Sequence, residues 1–467
     1  MRERAIGALR YLARGADRLW GSSQFSSGRI FAMLLPIILD TFFVSAIGIL
    51  TTAMISTSSQ ESVAAVSVVG PISMMIYAII SALSTGGTVV VARFVGEGKR
   101  DKIKEAAGQV VTAVTLLSLA MAVVVIVFAH PLIGLLYGEA DPVVVQKAGE
   151  YLTGVAVSMV FLAIYMGATA VFRGMGENRL CLLMTIVINL SYFLFSVLFL
   201  NVLKLDILGT SLAVNLARAL GAAAAMWELL RRRGVLGVPP RALLRLDLSL
   251  VRSLSQIGVP YATEQIFFNA GSMIVQIFLV ALGTVSITAN AVANNFMGVV
   301  YAAGQAVCTL SMTVVGQCLG AGRTREARRY GRSLCVLATI LMAVSLAVFI
   351  PLMPFILRLY QAPDNTVSLI RRLIYLVVAP LILFWPVSNV IPCVLRAGSD
   401  SLYCSVSSLL IMWAVRVGLG YTLTVLLGVG VEGLWLAMGA EMAVRALFYW
   451  RRFKKGRWLT LSQPSPK

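Results

Sequence analysis

The stretch LPIILDTFF, residues 35–43, sets a carboxylate, Asp40, four residues after Pro36 in a run that is otherwise lipid-soluble from Phe31 to about residue 55. VPYATEQIFF, residues 259–268, repeats the arrangement, with Glu264 four residues after Pro260. A shift of 224 residues aligns about seventy following positions without a gap: Pro36 meets Pro260, Asp40 meets Glu264, Phe43 meets Phe267, Ala65 meets Ala289 and Tyr77 meets Tyr301. With small gaps the match continues through Tyr151 and Tyr375, Arg173 and Arg396, and Gly209 and Gly433. The chain is a tandem repeat.

Each copy is built to cross a membrane. Of 467 residues, 59% are hydrophobic and 13% charged, and mean hydropathy is +0.87; hydrophobic stretches of about 20 residues, enough to span the hydrocarbon layer, recur throughout. Twelve spans are expected, near residues 30–56, 62–92, 106–130, 148–172, 180–203, 207–230, 253–282, 286–318, 333–357, 373–395, 401–426 and 430–450. The fold class is therefore an all-α integral membrane protein, with twelve transmembrane helices in two six-helix pseudo-symmetric lobes. Six spans per copy is an even number, so both lobes enter the membrane in the same direction, the parallel-repeat plan of secondary transporters. The expected divisions are an interfacial segment at 1–29, an N-lobe at 30–230, a linker at 231–252, a C-lobe at 253–450 and a basic tail at 451–467.

The formal charge of +19 follows topology and not nucleic-acid binding. With the N-terminus inside the cell, cytoplasmic segments hold 31 of the 39 Lys and Arg residues, outer segments 5 and the spans 3, as the positive-inside rule requires. Both termini are expected in the cytoplasm and the protein in the plasma or inner membrane, a monomer among membrane lipids. Residues 1–29 lack the apolar core of a signal peptide; Ile6, Leu9, Leu12, Ala16 and Leu19 recur at helical spacing between arginines, the pattern of an interfacial helix. None of the six cysteines makes a CxxC or falls in an outer loop, so neither disulfides nor a metal site is expected. The glycine turns GEGKR (96–100) and GAGRT (320–324) lack the spacing of a P-loop. No enzymatic centre or organic cofactor is expected, and the energy source would be an ion gradient.

Asp40 and Glu264 are the candidate coupling residues. Each shares a helix face with its proline one turn earlier, and each proline leaves a carbonyl, of Ala32 or Gln256, without its helical donor. At 1.5 Å per residue the acids lie about 15 Å from the inner end, near the midplane. Ionisable groups there are costly and functional by default. A carboxylate away from water favours its neutral form, which makes proton exchange available; alternatively it holds Na+, with hydroxyl and amide oxygens from Thr41, Thr51, Thr52, Asn189, Gln265 or Asn269 completing a hard-ligand set. Tyr77 and Tyr301, kept by the repeat, are candidate cavity-lining residues together with Thr51, Asn189, Gln265 and Asn269. A second cluster, Arg416, Glu441 and Arg445, occupies the last two spans; Glu441 and Arg445 are one turn apart, and mutual pairing is the economical way to keep three charges in lipid. Arg218, in the sixth span, has no partner evident from spacing. Pro380, Pro386 and Pro392 predict a broken tenth span.

Together, LPIILDTFF, IGVPYATEQIFFNAG and the paired loops VARFVGEGKRDKIKEAAG and VGQCLGAGRTREARRYGRSL resemble the MATE family of multidrug and toxic compound extrusion transporters over nearly the whole chain. The resemblance implies export of small organic, cationic amphiphiles in exchange for Na+ or H+. It also carries departures: Thr51 and Phe193 stand where the family's best-known first-lobe pattern has acids, leaving Asp40 and Glu264 as the carboxylates able to couple. A rival reading is a flippase for a lipid-linked or amphiphilic molecule, whose phosphate would need a basic lining, which Arg218 and Arg416 could supply.

Overall fold

The computed structural model describes residues 25–55, 59–137, 141–231, 236–244, 247–359 and 363–461; for 45–55 it describes the helical backbone alone. Of the interfacial segment expected at 1–29, residues 1–24 lie outside what is described and Ser27–Arg29 open α1; the side chains of Thr51 and Thr52 also lie outside it. Among the described residues the elements are all helices: α1 (Ser27–Ile55), α2 (Gln60–Glu97), α3 (Arg100–Tyr137), α4 (Pro142–Met175), α5 (Asn178–Ser196), α6 (Asp206–Leu230), short α7 (Pro240–Leu244), α8 (Leu248–Val280), α9 (Thr284–Gly320), α10 (Thr324–Leu359), α11 (Asp364–Leu383), α12 (Trp385–Ala397), α13 (Ser401–Ile411), α14 (Val431–Lys455) and short α15 (Arg457–Leu461). Among the described residues eleven helices are long and apolar enough to cross a membrane. The twelfth span is α14, whose Glu432, Glu441 and Arg445 lower its hydropathy. The tenth span is broken as the prolines predict, between α11 and α12 at Phe384.

The repeat extends to individual backbone bonds. The equivalent Gly98 and Gly322 both adopt φ 72°, a left-handed turn that glycine makes without a Cβ penalty, and each donates its N–H three residues back, to Val95 and Leu319. One turn type likewise closes α4 and α12: Glu177 N–H reaches the Phe172 carbonyl at 2.9 Å and Asp400 N–H reaches Leu395 at 3.0 Å. π-helical turns follow α5 (Val197–Val202) and α13 (Met412–Leu419 and Thr422–Leu426).

Two compact units emerge, and their borders fall inside helices and not in the linker. One, the N unit, is Leu39–Gln265; the other, the C unit, joins Met1–Ile38 to Ile266–Lys467. Residues 27–38 of α1 therefore belong with the second repeat: Ile30, Leu34 and Ile37 are buried in the C unit's core with residues such as Leu310, Tyr330 and Trp385, and Tyr330 Oη donates to the Phe25 carbonyl at 2.9 Å. Reciprocally, Leu254 of α8 is buried in the N unit's core with Leu83 and Val110. The expected lobe borders at 30 and 253 thus differ from the packing borders by about half a helix each, because apolar burial and not chain order decides which core a half-helix joins.

The segment expected as a connector is packed onto the N unit. Thr112 Oγ1 donates to the Leu243 carbonyl at 2.7 Å, and Asp247 N–H donates to Gln109 Oε1 at 2.9 Å. Asp247 also caps α8, accepting from Ser249 N–H at 2.8 Å and Ser249 Oγ at 2.7 Å, bonds that hold its carboxyl below the usual range. Gly108 of α3 permits this docking: a Cβ there would sit 2.4 Å from the Ala242 carbonyl oxygen. Gly108→Ala is therefore expected to push α7 from α3 and destabilise the protein by about 1–3 kcal/mol, read as a lower Tm in detergent; an unchanged Tm would show that α7 is not held there.

Candidate functional site

The N unit encloses a cavity of about 530 Å³, within the range of roughly 300–1,000 Å³ that holds drug-sized molecules. Helical periodicity builds its walls. From α2 come Val66, Gly70, Ser73, Tyr77 and Ser81, and from α4 Tyr151, Val155, Leu162, the adjacent Tyr165 and Met166, Thr169 and Arg173, sets that otherwise step by three, four or seven residues and so keep to one helix face. α1 adds Asp40 and Val44; α5 adds Thr185, Ile188, Asn189 and Tyr192; α6 adds Val214, Ala217 and Arg218. Tyr165 Oη and Thr185 Oγ1 lie 2.8 Å apart and tie α4 to α5, while Asn189 donates to the Thr185 carbonyl at 2.9 Å.

Three charged side chains line this space. Asp40 is 9% exposed and accepts at Oδ2 from Arg173 at 3.4 Å; its Oδ1 is buried without a hydrogen-bond partner among the described residues. Arg173 sits in the last turn of α4, closed by Gly176 at φ 85°, where a helix end favours a cation. Arg218, twelve residues from both Asp206 and Leu230, is at the middle of α6. Its Nη1 donates to Ser158 Oγ at 2.6 Å and contacts Met159 Sδ at 3.6 Å, and no carboxylate among the described residues pairs with it. With Asp40 and Arg173 compensating each other, the lining carries one surplus positive charge.

The expected site residues thus separate. Asp40, Tyr77 and Asn189 meet in the cavity. Glu264, 4% exposed on α8, and Gln265 belong to the N unit but do not line it. Asn269 and Tyr301 belong to the C unit, where Tyr301 stacks on Trp385 with ring centroids 5.7 Å apart. Of the oxygen donors considered for Na+ whose side chains are described, Asn189 shares the cavity with Asp40 and Thr41, Gln265 and Asn269 do not line it; the described residues hold no group of three or more His, Cys, Asp or Glu suited to a metal ion. Spacing missed Arg173, which reads as one more cytoplasmic arginine, and Tyr151, Tyr165 and Tyr192; the stripe along α4 was the signal available for Arg173, Tyr151 and Tyr165.

In the C unit, Glu441 accepts from Arg416 Nη1 and Arg445 Nη1, each at 3.1 Å. Arg416 arrives on the π-helical turn after α13 and lies over the Phe268 ring at 5.6 Å. One carboxylate, 3% exposed, thus holds two guanidinium groups.

The model of the MatE family matches residues 36–198 and 260–422, one match per repeat. The chain belongs to the MatE family. As a MatE protein it is a multi-pass membrane transporter and not an enzyme. It is 26% identical over 438 residues to the uncharacterized transporter YisQ of Bacillus subtilis (92% of this chain, 94% of that protein). It is 25% identical over 451 residues to the probable multidrug resistance protein NorM of Geobacillus kaustophilus (92% and 96%). Its fold matches the Vibrio cholerae MATE transporter VcmN with a TM-score of 0.79 at 21% identity, covering 92% of this chain and 96% of that one.

Removing the negative charge at Glu441 leaves Arg416 and Arg445 without the counter-charge they share. Glu441→Gln is expected to cost about 3–5 kcal/mol, seen as a large drop in Tm in detergent; a wild-type Tm would show that other groups satisfy Arg416 and Arg445.

Proposed function

We propose that this MatE protein is a secondary active transporter that expels amphiphilic organic compounds, using an inward gradient of H+ or Na+ exchanged at Asp40. The observation that carries this reading is the free Oδ1 of Asp40, buried in the wall of the cavity. A buried carboxylate oxygen left unpaired is costly, and a proton or a sodium ion relieves that cost. The relatives named as multidrug resistance proteins support drug-like cargo, and the four tyrosines and aliphatic side chains of the lining suit such a body.

A basic group on the cargo would compete with the coupling ion for Asp40. Binding linkage makes that competition reciprocal, each expelling the other. Asp40 carries the coupling in this reading, with Glu264 as its counterpart in sequence. The protein lies in the cell membrane with both termini in the cytoplasm, in line with its Lys and Arg distribution. A flippase remains the second reading, favoured by Arg218 in the cavity; Arg416, its other basic candidate, is occupied by Glu441.

Proteoliposomes test this directly. Efflux of a fluorescent lipophilic cation, driven by a pH gradient and separately by a sodium gradient, is expected for wild type under one of the two. Asp40→Asn is expected to lower gradient-driven efflux at least about tenfold while leaving the protein folded, since about 1.4 kcal/mol already corresponds to tenfold. Wild-type flux in Asp40→Asn would remove Asp40 from the coupling step.

A further inference from the structure

Arg218 is the charge in the cavity that coupling at Asp40 does not use. It stands at the middle of a span, where a guanidinium without a counter-charge is among the most expensive side chains a membrane protein can keep. The C unit shows how this chain deals with such groups when their role is to hold helices together: Arg416 and Arg445 each meet Glu441 at 3.1 Å. Arg218 is treated otherwise. Its protein partners are a hydroxyl and a thioether, which orient the group without neutralising it, and it lines the 530 Å³ space together with Tyr151 and Tyr192. A guanidinium presents five donors in a planar fork that matches a carboxylate, sulfonate or phosphate, and one bond to Ser158 with one contact to Met159 leaves most of that fork available.

We infer that Arg218 binds an acidic group of the cargo, so that the transported amphiphile carries a carboxylate, sulfonate or phosphate on an aromatic or apolar body. This rests on reading the cavity as the cargo site, and it departs from a cargo that is purely cationic. An acidic group at Arg218 cancels the surplus charge of the lining, and the flanking tyrosines offer flat, amphipathic surface to the body of the molecule. A dipolar cargo satisfies both charged sites of the cavity, its acidic end at Arg218 and a basic end at Asp40. The acidic group can belong to a free compound or to a lipid head group, since the chemistry at Arg218 is the same.

The test is equilibrium binding, which needs no gradient and no coupling. Wild-type protein in phosphatidylcholine nanodiscs is titrated with three probes of one shape, 2-naphthoate, 2-naphthamide and 2-naphthylmethylammonium, with empty discs subtracted. Naphthoate is expected to bind at least about tenfold tighter than naphthamide. Arg218→Gln is expected to abolish that preference, and Arg218→Lys to keep part of it, as a charge without the planar fork would; Arg218→Lys also shows that loss in Arg218→Gln is not misfolding, checked further by Tm. Because binding is read without a gradient, wild-type protein that shows no ion-coupled efflux yet prefers naphthoate leaves the anion site standing, so failure of coupling at Asp40 and failure of the anion site give different results. Discs containing phosphatidylglycerol separate the two sources of the acidic group: a lipid occupant displaces naphthoate, whereas a free cargo leaves its affinity unchanged. Equal affinity of wild type for the three probes, tighter binding of the ammonium probe alone, or a naphthoate preference that survives in Arg218→Gln would each overturn the assignment.

Discussion

A charge in hydrocarbon must be neutralised, hydrogen-bonded or given a task, and this constraint shapes the protein wherever its spans carry one. The bond from Arg173 to Asp40 at 3.4 Å is where it matters most, because it joins α1 to α4 across 133 positions of sequence and leaves half of the carboxylate unsatisfied. A carboxylate fully satisfied by protein donors would have little reason to exchange an ion. One with no partner would cost more than the fold can easily bear. Asp40 sits between these limits, paired with Arg173 at Oδ2 and without a hydrogen-bond partner at Oδ1 among the described residues.

The C unit takes the opposite course. Glu441 is saturated by two guanidinium groups, and Arg416 is further covered by Phe268. Such a cluster is costly to form and costlier to break, which suits a structural pin better than a titrating site. The two repeats keep matched turns at Gly98 and Gly322, but their buried charges are paired differently. The described cavity belongs to the N unit, and Glu264 does not line it although it occupies Asp40's place in the repeat.

The exchange of half-helices between the units bears on this difference. The residues before Pro36 in α1 are buried with the C unit, and Asp40 follows them into the N unit. Asp40 therefore stands on the same helix as residues buried in the C unit's core, while its own cavity is lined by the N unit. Pro36, inside α1 just before that border, removes one backbone bond from the helix.

Much was legible in the sequence by itself. The all-helical membrane class, the spans, the tandem repeat, the break at Pro380 and Pro386, and the pairing of Glu441 with Arg445 depend on local periodicity and on the cost of polar groups in lipid, which hold for any chain of this pattern. Tertiary structure alone decided that Arg173 is the partner of Asp40, that Arg218 faces a cavity, and that α1 and α8 each divide between two cores. Helices apolar on every side carry little signal of which face turns inward; their rotation is set by side-chain packing between elements far apart in sequence, and the charged groups they bring together follow from that packing.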